Sequence, residues 1–406
     1  MINYKVSGGS NNNIPTTLAP SDITFYDYDG TIVASWTLEE LATKTALPDY
    51  PSHKGLRCQG WNWSLVDLKT TNRKMNVGAM YITKDKKTRI YIRLEEGRTY
   101  PMLGICLNGT VTVDWGDGTT PDILTGTGAD SPEWTQNHEY AAPGEYVIEL
   151  KVSYKGTMDF APVSSPDEGS AILRYDSSED EINRVYQNSV QKIEIGENVT
   201  YISDYAFSEC HSLTSITIPD HVMYIGQNAF SNCYSLASIT IPNGVTSIES
   251  SAFVNCSALK SITLPNSVTS IGLSTFNTCY SLASITIPNG VTSIGGYAFN
   301  TCYSLASITF PNSVTSIESS TFNTCDTLAS ITIPNGVTSI GSNAFHRCHG
   351  VAYYDFTACT TVPTLKNANA FTGIPADCQI RVPASLVDEW KTETNWATLA
   401  DFIVGV

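Results

Sequence analysis

The chain has 406 residues, a formal net charge of −16, and only 15% charged residues against 42% hydrophobic ones. That length exceeds one ordinary domain, and the composition excludes a disordered chain. Acidity with few cations excludes the Lys/Arg clusters that nucleic acid or anionic lipid requires, and no apolar run of about 18 residues is present to insert into a membrane.

Residues 1–19 open with Met-Ile-Asn-Tyr-Lys-Val and run into Ser-Gly-Gly-Ser-Asn-Asn-Asn at 7–13, a flexible polar tract without the apolar core of an export signal. The expectation is a chain that does not use that route, or one whose signal is missing. Residues 20–84 read as a small α+β module. Ile23-Thr-Phe-Tyr-Asp-Tyr and Thr31-Ile-Val-Ala-Ser-Trp flank Asp29-Gly30, a strong hairpin signal. The same stretch, Asp27-Tyr-Asp29-Gly30-Thr31, resembles the D-x-D-G-T motif of haloacid-dehalogenase-type phosphatases. That resemblance implies a large following α/β domain, for which the short stretch before the next unit at residue 85 leaves too little room, so the hairpin reading is preferred.

Thr37-Leu-Glu-Glu40 is a capping box opening a short helix, and Ser64 caps a second over Leu65–Lys69. Trp61 and Trp63 could stack on a ligand, but in so small a unit core packing is the plainer role. Tyr81-Ile-Thr and Thr88–Leu94 are expected to form a hairpin across Lys84–Lys87. This module looks similar to N-terminal units found beside leucine-rich repeats in surface or tail proteins of gut bacteria and their phages.

Residues 85–156 form the next unit. Thr110-Val-Thr-Val-Asp114-Trp115-Gly116-Asp117-Gly118-Thr119, then His138-Glu-Tyr140 and Pro143-Gly144-Glu-Tyr146, resemble a polycystic-kidney-disease (PKD) domain. The resemblance implies an immunoglobulin-like β-sandwich used as a spacer or binding module. Asp114 and Asp117 could hold calcium, but two carboxylates fall short of its oxygen demand, so a turn is expected. Residues 157–189 read as an acidic linker whose second part caps the first coil of a repeat region.

From residue 190 to 360 the chain repeats. Cys210, Cys233, Cys256, Cys279, Cys302, Cys325 and Cys348 recur every 23 residues, each preceded three residues earlier by phenylalanine. One unit reads Cys233-Tyr-Ser-Leu236-Ala-Ser-Ile239-Thr-Ile241-Pro-Asn-Gly-Val245-Thr-Ser-Ile248. Alternation at Ile239-Thr-Ile241 predicts a strand, Pro242-Asn-Gly a turn, and Val245, Ile248, Phe253 and Cys256 the inward positions of a coil that must stack to bury them. First strand positions from Val190 to Val351 number eight. The Ala-Phe-x-x-Cys and Val-Thr-Ser-Ile-Gly signatures resemble BspA-like leucine-rich repeats of bacterial surface adhesins. The resemblance implies a right-handed solenoid used for adhesion or partner binding, without chemistry. The cysteines read as buried thiols, since no C-x-x-C cluster offers a metal site and stacked identical cysteines cannot easily take disulfide geometry. Residues 361–406 read as a C-terminal cap: a strand at Cys378–Pro383, then amphipathic helices placing Trp390, Trp396, Leu399 and Phe402 on the last coil.

The fold class expected is therefore mainly β, a solenoid preceded by a sandwich and a small α+β module. Its concave strands present small residues (Ala237/Ser238/Thr240 and their repeats), interrupted by Lys260, as a flat, neutral, hydroxyl-rich face. Charged or aromatic residues mark its ends, Gln191, Lys192 and Glu194 at one and Tyr353 and Asp355 at the other. The residue after each ladder cysteine varies, and the candidate ligand-binding row is His211, Tyr234, Tyr280, Tyr303, Asp326 and His349, with Lys260 and Tyr353 beside it. No coherent nucleophile, base and orienting group exists, so no enzyme, cofactor or metal is expected. The expected function is recognition of a surface glycan or protein, narrowly as a phage receptor-binding or fibre-like virion protein, alternatively as a bacterial adhesin or a ligand-free structural component. Expected partners are that ligand and assembly contacts, homo-oligomeric or within a virion, through residues 1–84.

Overall fold

The computed structural model describes residues 22–71, 75–96, 99–134, 138–153, 157–160, 172–174 and 188–406. The polar tract at 1–19 and most of the acidic linker, with its expected capping segment, lie outside them.

The first unit is a four-stranded sheet carrying two helices. β1 (Ile23–Tyr26) and β2 (Ile32–Trp36) form the hairpin expected around Asp29-Gly30, with Gly30 at φ 86°. Thr37 accepts from Glu40 N at 3.1 Å and Glu40 Oε2 accepts from Thr37 N at 2.8 Å, so α1 (Leu38–Thr43) starts on a complete capping box. Ser64 Oγ accepts from Asp67 N, 3.1 Å away, to cap α2 (Leu65–Thr71). β3 (Leu56–Trp61) and β4 (Met75–Thr83) complete the sheet in the order β2-β1-β4-β3. Ile23, Phe25, Trp61, Trp63, Leu68, Val77 and Tyr81 make a core separate from the rest of the molecule.

The hairpin expected across Lys84–Lys87 does not form. β4 pairs with β1 and β3, whereas β5 (Thr88–Leu94) pairs with β8 (Gly144–Val152) and β11 (Val190–Glu194). Both strands already have partners in different units, so the Lys84–Lys87 turn is a crossing between units. β6 (Met102–Asp114) is long enough to pair in succession with β10 (Leu173–Arg174), β9 (Thr157–Asp159) and β8, and with β7 (Asp122–Trp134). Trp115, Tyr140, Ile148 and Leu150 are buried beneath this sheet.

The repeat region joins that sheet directly. β11, the first repeat strand, lies antiparallel to β5 (Ile193 opposite Ile90) and parallel to Ser215–Thr217. The β-rich unit therefore closes the open end of the solenoid, helped by Phe160, which bridges to Ile202 and sits 4.9 Å from the Phe207 ring. An uncovered end would leave the first coil's apolar face in water.

The central coils share one construction. Ser-Ile-Thr strands stack in register on one face (Ser238, Ile239 and Thr240 opposite Ser261, Ile262 and Thr263), and Ser-Ile pairs stack on the other (Ile248 opposite Ile271). Pro242 O accepts from Val245 N at 3.1 Å to close the turn. Reversal around the far side uses two left-handed residues per coil, such as Ser251 (φ 56°) and Asn255 (φ 60°). Inside, phenylalanine rings from Phe230 to Phe345 stack 5.3–5.7 Å apart.

The cysteine column has a clear physical role. All eleven cysteines are free and ten are buried. Each ladder thiol from Cys233 onward donates to the carbonyl of the preceding coil's phenylalanine, for example Cys256 Sγ to Phe230 O and Cys302 Sγ to Phe276 O, both 3.2 Å. Cysteine is small enough for the coil corner and still satisfies a buried carbonyl. Burial raises these thiols, Cys302 and Cys348 to about 12. A disulfide-exchange reagent at pH 8 is therefore expected to titrate at most one thiol, the half-buried Cys58, in the native protein, and all eleven after denaturation. Several native reactive thiols would sink this assignment.

At the far end, Gln379–Val382 continues the concave sheet, and Ile403–Gly405 adds a last strand. Of the two expected cap helices, α3 (Val387–Thr392) is α-helical, while Trp396–Phe402 is a 3₁₀ segment entered through Asn395 at φ 66°. Trp390, Trp396 and Leu399 are buried against the last coils, with Phe402 partly buried beside them. No described helix is long and apolar enough to cross a membrane.

Candidate functional site

The hydroxyl-rich concave face divides into a covered half and an open half. β4 lies across the strands at 215–217, 238–240, 261–263 and 284–286, and the contact is intimate. Gly78 sits so close to Thr240 and Thr263 that a Cβ there would overlap both Oγ1 atoms. Trp63 Nε1 donates to Leu264 O at 2.8 Å, Ser238 Oγ donates to Tyr28 O at 3.2 Å, and Gln59 Nε2 donates to Asp220 Oδ1 at 2.6 Å. Ser238, Thr240, Ser261 and Thr263 are consequently buried. This corrects the expectation of a uniformly exposed face: the first module occupies half of it. The N-terminal end is also covered. Lys192 Nζ bonds Glu194 at 2.7 Å and lies 5.4 Å from the Tyr28 ring and 5.1 Å from that of Tyr91.

Beyond 261–263 the floor opens gradually: the strand at 284–286 is half covered by the module's edge, and Ser307, Thr309 and Thr332 on the next two are more exposed. Ser284, Thr286, Ser307, Thr309, Ser330 and Thr332 line a cleft of about 380 Å³. Its wall is the edge of the module: Asp22, Thr24 and Tyr26 at β1, and Met75 and Asn76 at the start of β4. The wall is held rigidly, since β1 and β4 are paired (Ile23 opposite Met75) and Met75 N donates to Asp22 O at 2.7 Å. Asn76, nine-tenths buried, reaches Ser284 Oγ at 3.5 Å. Sequence reasoning did not single out these wall residues. Their signal was the outward face of β1, where Thr24 and Tyr26 alternate with the fully buried Ile23 and Phe25.

The row following the cysteines is distributed along one edge in pairs. His211 stacks on Tyr234 (4.6 Å between ring centres) and Tyr280 on Tyr303 (5.2 Å, 12° between planes), with Ser257 separating the two pairs. His349 Nδ1 lies 2.8 Å from Asp326 Oδ1. Each of the three tyrosines is a little over 40% exposed. Lys260 is exposed at the start of its strand, and Tyr353 carries the Arg381 guanidinium 3.8 Å above its ring.

The other residues with a candidate role make contacts within the protein. Asp117 accepts from Thr119 N and Oγ1 and lies 2.8 Å from His138 Nε2. Burial would raise its carboxyl, but these partners hold it below the usual carboxylate range. Asp114 accepts from Gly116 N, so both carboxylates serve the turn. Asp27 is buried against His53 Nε2 at 2.7 Å, and Asp29 Oδ1 accepts from Thr31 N, as hairpin residues do. Trp61 donates to Pro48 O inside the module, while Trp63 serves the docking contact. Among the described residues, no three His, Cys, Asp or Glu side chains converge on a metal position.

The family model for the BspA type leucine-rich repeat region matches in six copies, over residues 183–305 and 246–377. No curated protein matches the chain. Among solved structures, a leucine-rich repeat protein of T. pallidum is 34% identical with a TM-score of 0.36, the match covering 39% of this chain and 74% of that one. One from Bacteroides ovatus is 34% identical with a TM-score of 0.41, covering 47% of this chain and 50% of that one. A leucine-rich cell surface protein of Faecalibacterium prausnitzii is 27% identical with a TM-score of 0.36, covering 55% and 66%.

Proposed function

We propose that this chain, which belongs to the BspA-type leucine-rich repeat family through residues 183–377, is a non-enzymatic recognition protein displayed at a surface. Members of that family are typically cell-surface or extracellular repeat proteins, and generally act as binding scaffolds. The observation carrying the reading is the C-terminal half of the solenoid, where Ser and Thr side chains from three successive strands line a cleft and, on the separate edge that follows the ladder cysteines, the half-exposed Tyr280 and Tyr303 stack as a pair. Paired, half-exposed tyrosines supply contact area at low entropy cost, and a rigid floor loses little order on binding. The β-rich unit, whose sheet runs on into the first repeat strand, serves as the spacer that carries this face.

A virion attachment protein is the second reading. Eleven free thiols favour it, because a particle assembled in a reducing cytoplasm needs no disulfides. Antibody against this chain, viewed by electron microscopy, then labels particles and not the cell envelope.

Binding of the fluorescent full-length chain to intact bacterial and epithelial cells tests recognition. Saturable binding is expected, weakened about tenfold or more by Tyr280→Ala/Tyr303→Ala at unchanged melting temperature. Absence of binding to every cell type, even with the protein multimerised, would favour a ligand-free structural component.

A further inference from the structure

We infer that the cleft between the first module and the open coils binds an uncharged oligosaccharide, which rests on the recognition reading and gives it a ligand class. The floor offers a Ser/Thr pair from each of three successive strands, at a spacing of roughly 4.8 Å. A chain of sugar rings laid along the stack meets a fresh pair of hydroxyls at each strand. Hydroxyls both donate and accept, so they match a polyol in either orientation.

Other ligand classes fit less well. No Lys, Arg or His lines the cleft, so an anionic ligand would find no counter-charge. An apolar ligand would desolvate the floor hydroxyls without replacing their hydrogen bonds. Asp22 is the single carboxylate, and its Oδ2 already accepts from Leu38 N at 2.9 Å. Burial raises the Tyr26 phenol, which stays neutral and able to donate. The volume falls in the range of small-molecule sites, roughly 300–1,000 Å³, suited to a short oligosaccharide and too small for a folded partner.

The full-length protein is applied to an array of neutral, sialylated and sulfated glycans, and the strongest neutral hit is then titrated by calorimetry. Two variants accompany it. Thr309→Trp fills the cleft from an exposed strand position, and Tyr26→Phe removes one hydroxyl from the wall. Melting curves establish that both are folded. Neutral glycans are expected to bind, Thr309→Trp to abolish binding, and Tyr26→Phe to weaken it about tenfold. Binding of acidic glycans only, no binding on the array, or binding indifferent to Thr309→Trp overturns the assignment. Cell binding without array binding overturns the cleft and leaves the recognition reading standing. Array binding without cell binding does the reverse.

Discussion

Gly78→Ala is expected to destabilise the docking of the first module on the solenoid by about 2 kcal/mol, and Gly78→Val by more. The added carbon meets the Oγ1 atoms of Thr240 and Thr263, two stiff β-branched side chains fixed on a rigid sheet. Neither can turn away without leaving its rotamer, so the module must move instead. Movement breaks the Trp63–Leu264 and Ser238–Tyr28 hydrogen bonds together, because one rigid sheet carries both ends of the contact. Limited proteolysis at the Lys84–Lys87 crossing should accelerate, and the module should unfold in a separate, earlier transition. A companion variant keeps the argument testable. Gly78→Ala combined with Thr240→Ala and Thr263→Ala removes the obstructing atoms and is expected to restore protection. Unchanged protection in Gly78→Ala alone would refute the docked arrangement.

This docking is also where sequence reasoning fell short, and the reason is physical. The 23-residue beat was legible because every inward position repeats, and burial demands the same apolar residue in each coil. Leu236, Ile239, Val245, Phe253 and Cys256 all lie where the periodicity places them. The concave positions carry no such demand. Serine and threonine are as compatible with water as with a polar contact, so Thr240 and Thr309 look alike in sequence although one is buried and the other exposed. A signal existed on the partner strand. Met75-Asn-Val-Gly-Ala-Met-Tyr-Ile-Thr is apolar on both faces, the pattern of a strand covered on two sides, and every residue of it is buried. Reading only its last three residues as half a hairpin concealed this. The cleft was illegible for the same reason, since its wall and floor lie more than 200 residues apart and meet only through the docking.

Phe276→Ala is expected to cost about 3–5 kcal/mol and to split the unfolding of the solenoid. The ring lies 5.7 Å from Phe253 and 5.4 Å from Phe299, fully buried, so truncation opens a cavity that two stacked neighbours cannot close. Coils communicate only with adjacent coils, and stability is the sum of coil and interface terms. The N-terminal coils are closed by β5 and Phe160, and the C-terminal coils by Trp390 and Trp396. The middle has no cap, so a defect there separates two blocks that are each closed at one end. Calorimetry should then resolve two transitions where the parent repeat region gives one. Phe276→Leu, which keeps most of the volume, should lower the midpoint modestly without splitting it. If Phe276→Ala still melts in one unshifted step, stability does not pass coil to coil through the ring stack, and the solenoid owes its cooperativity to the in-register strands alone.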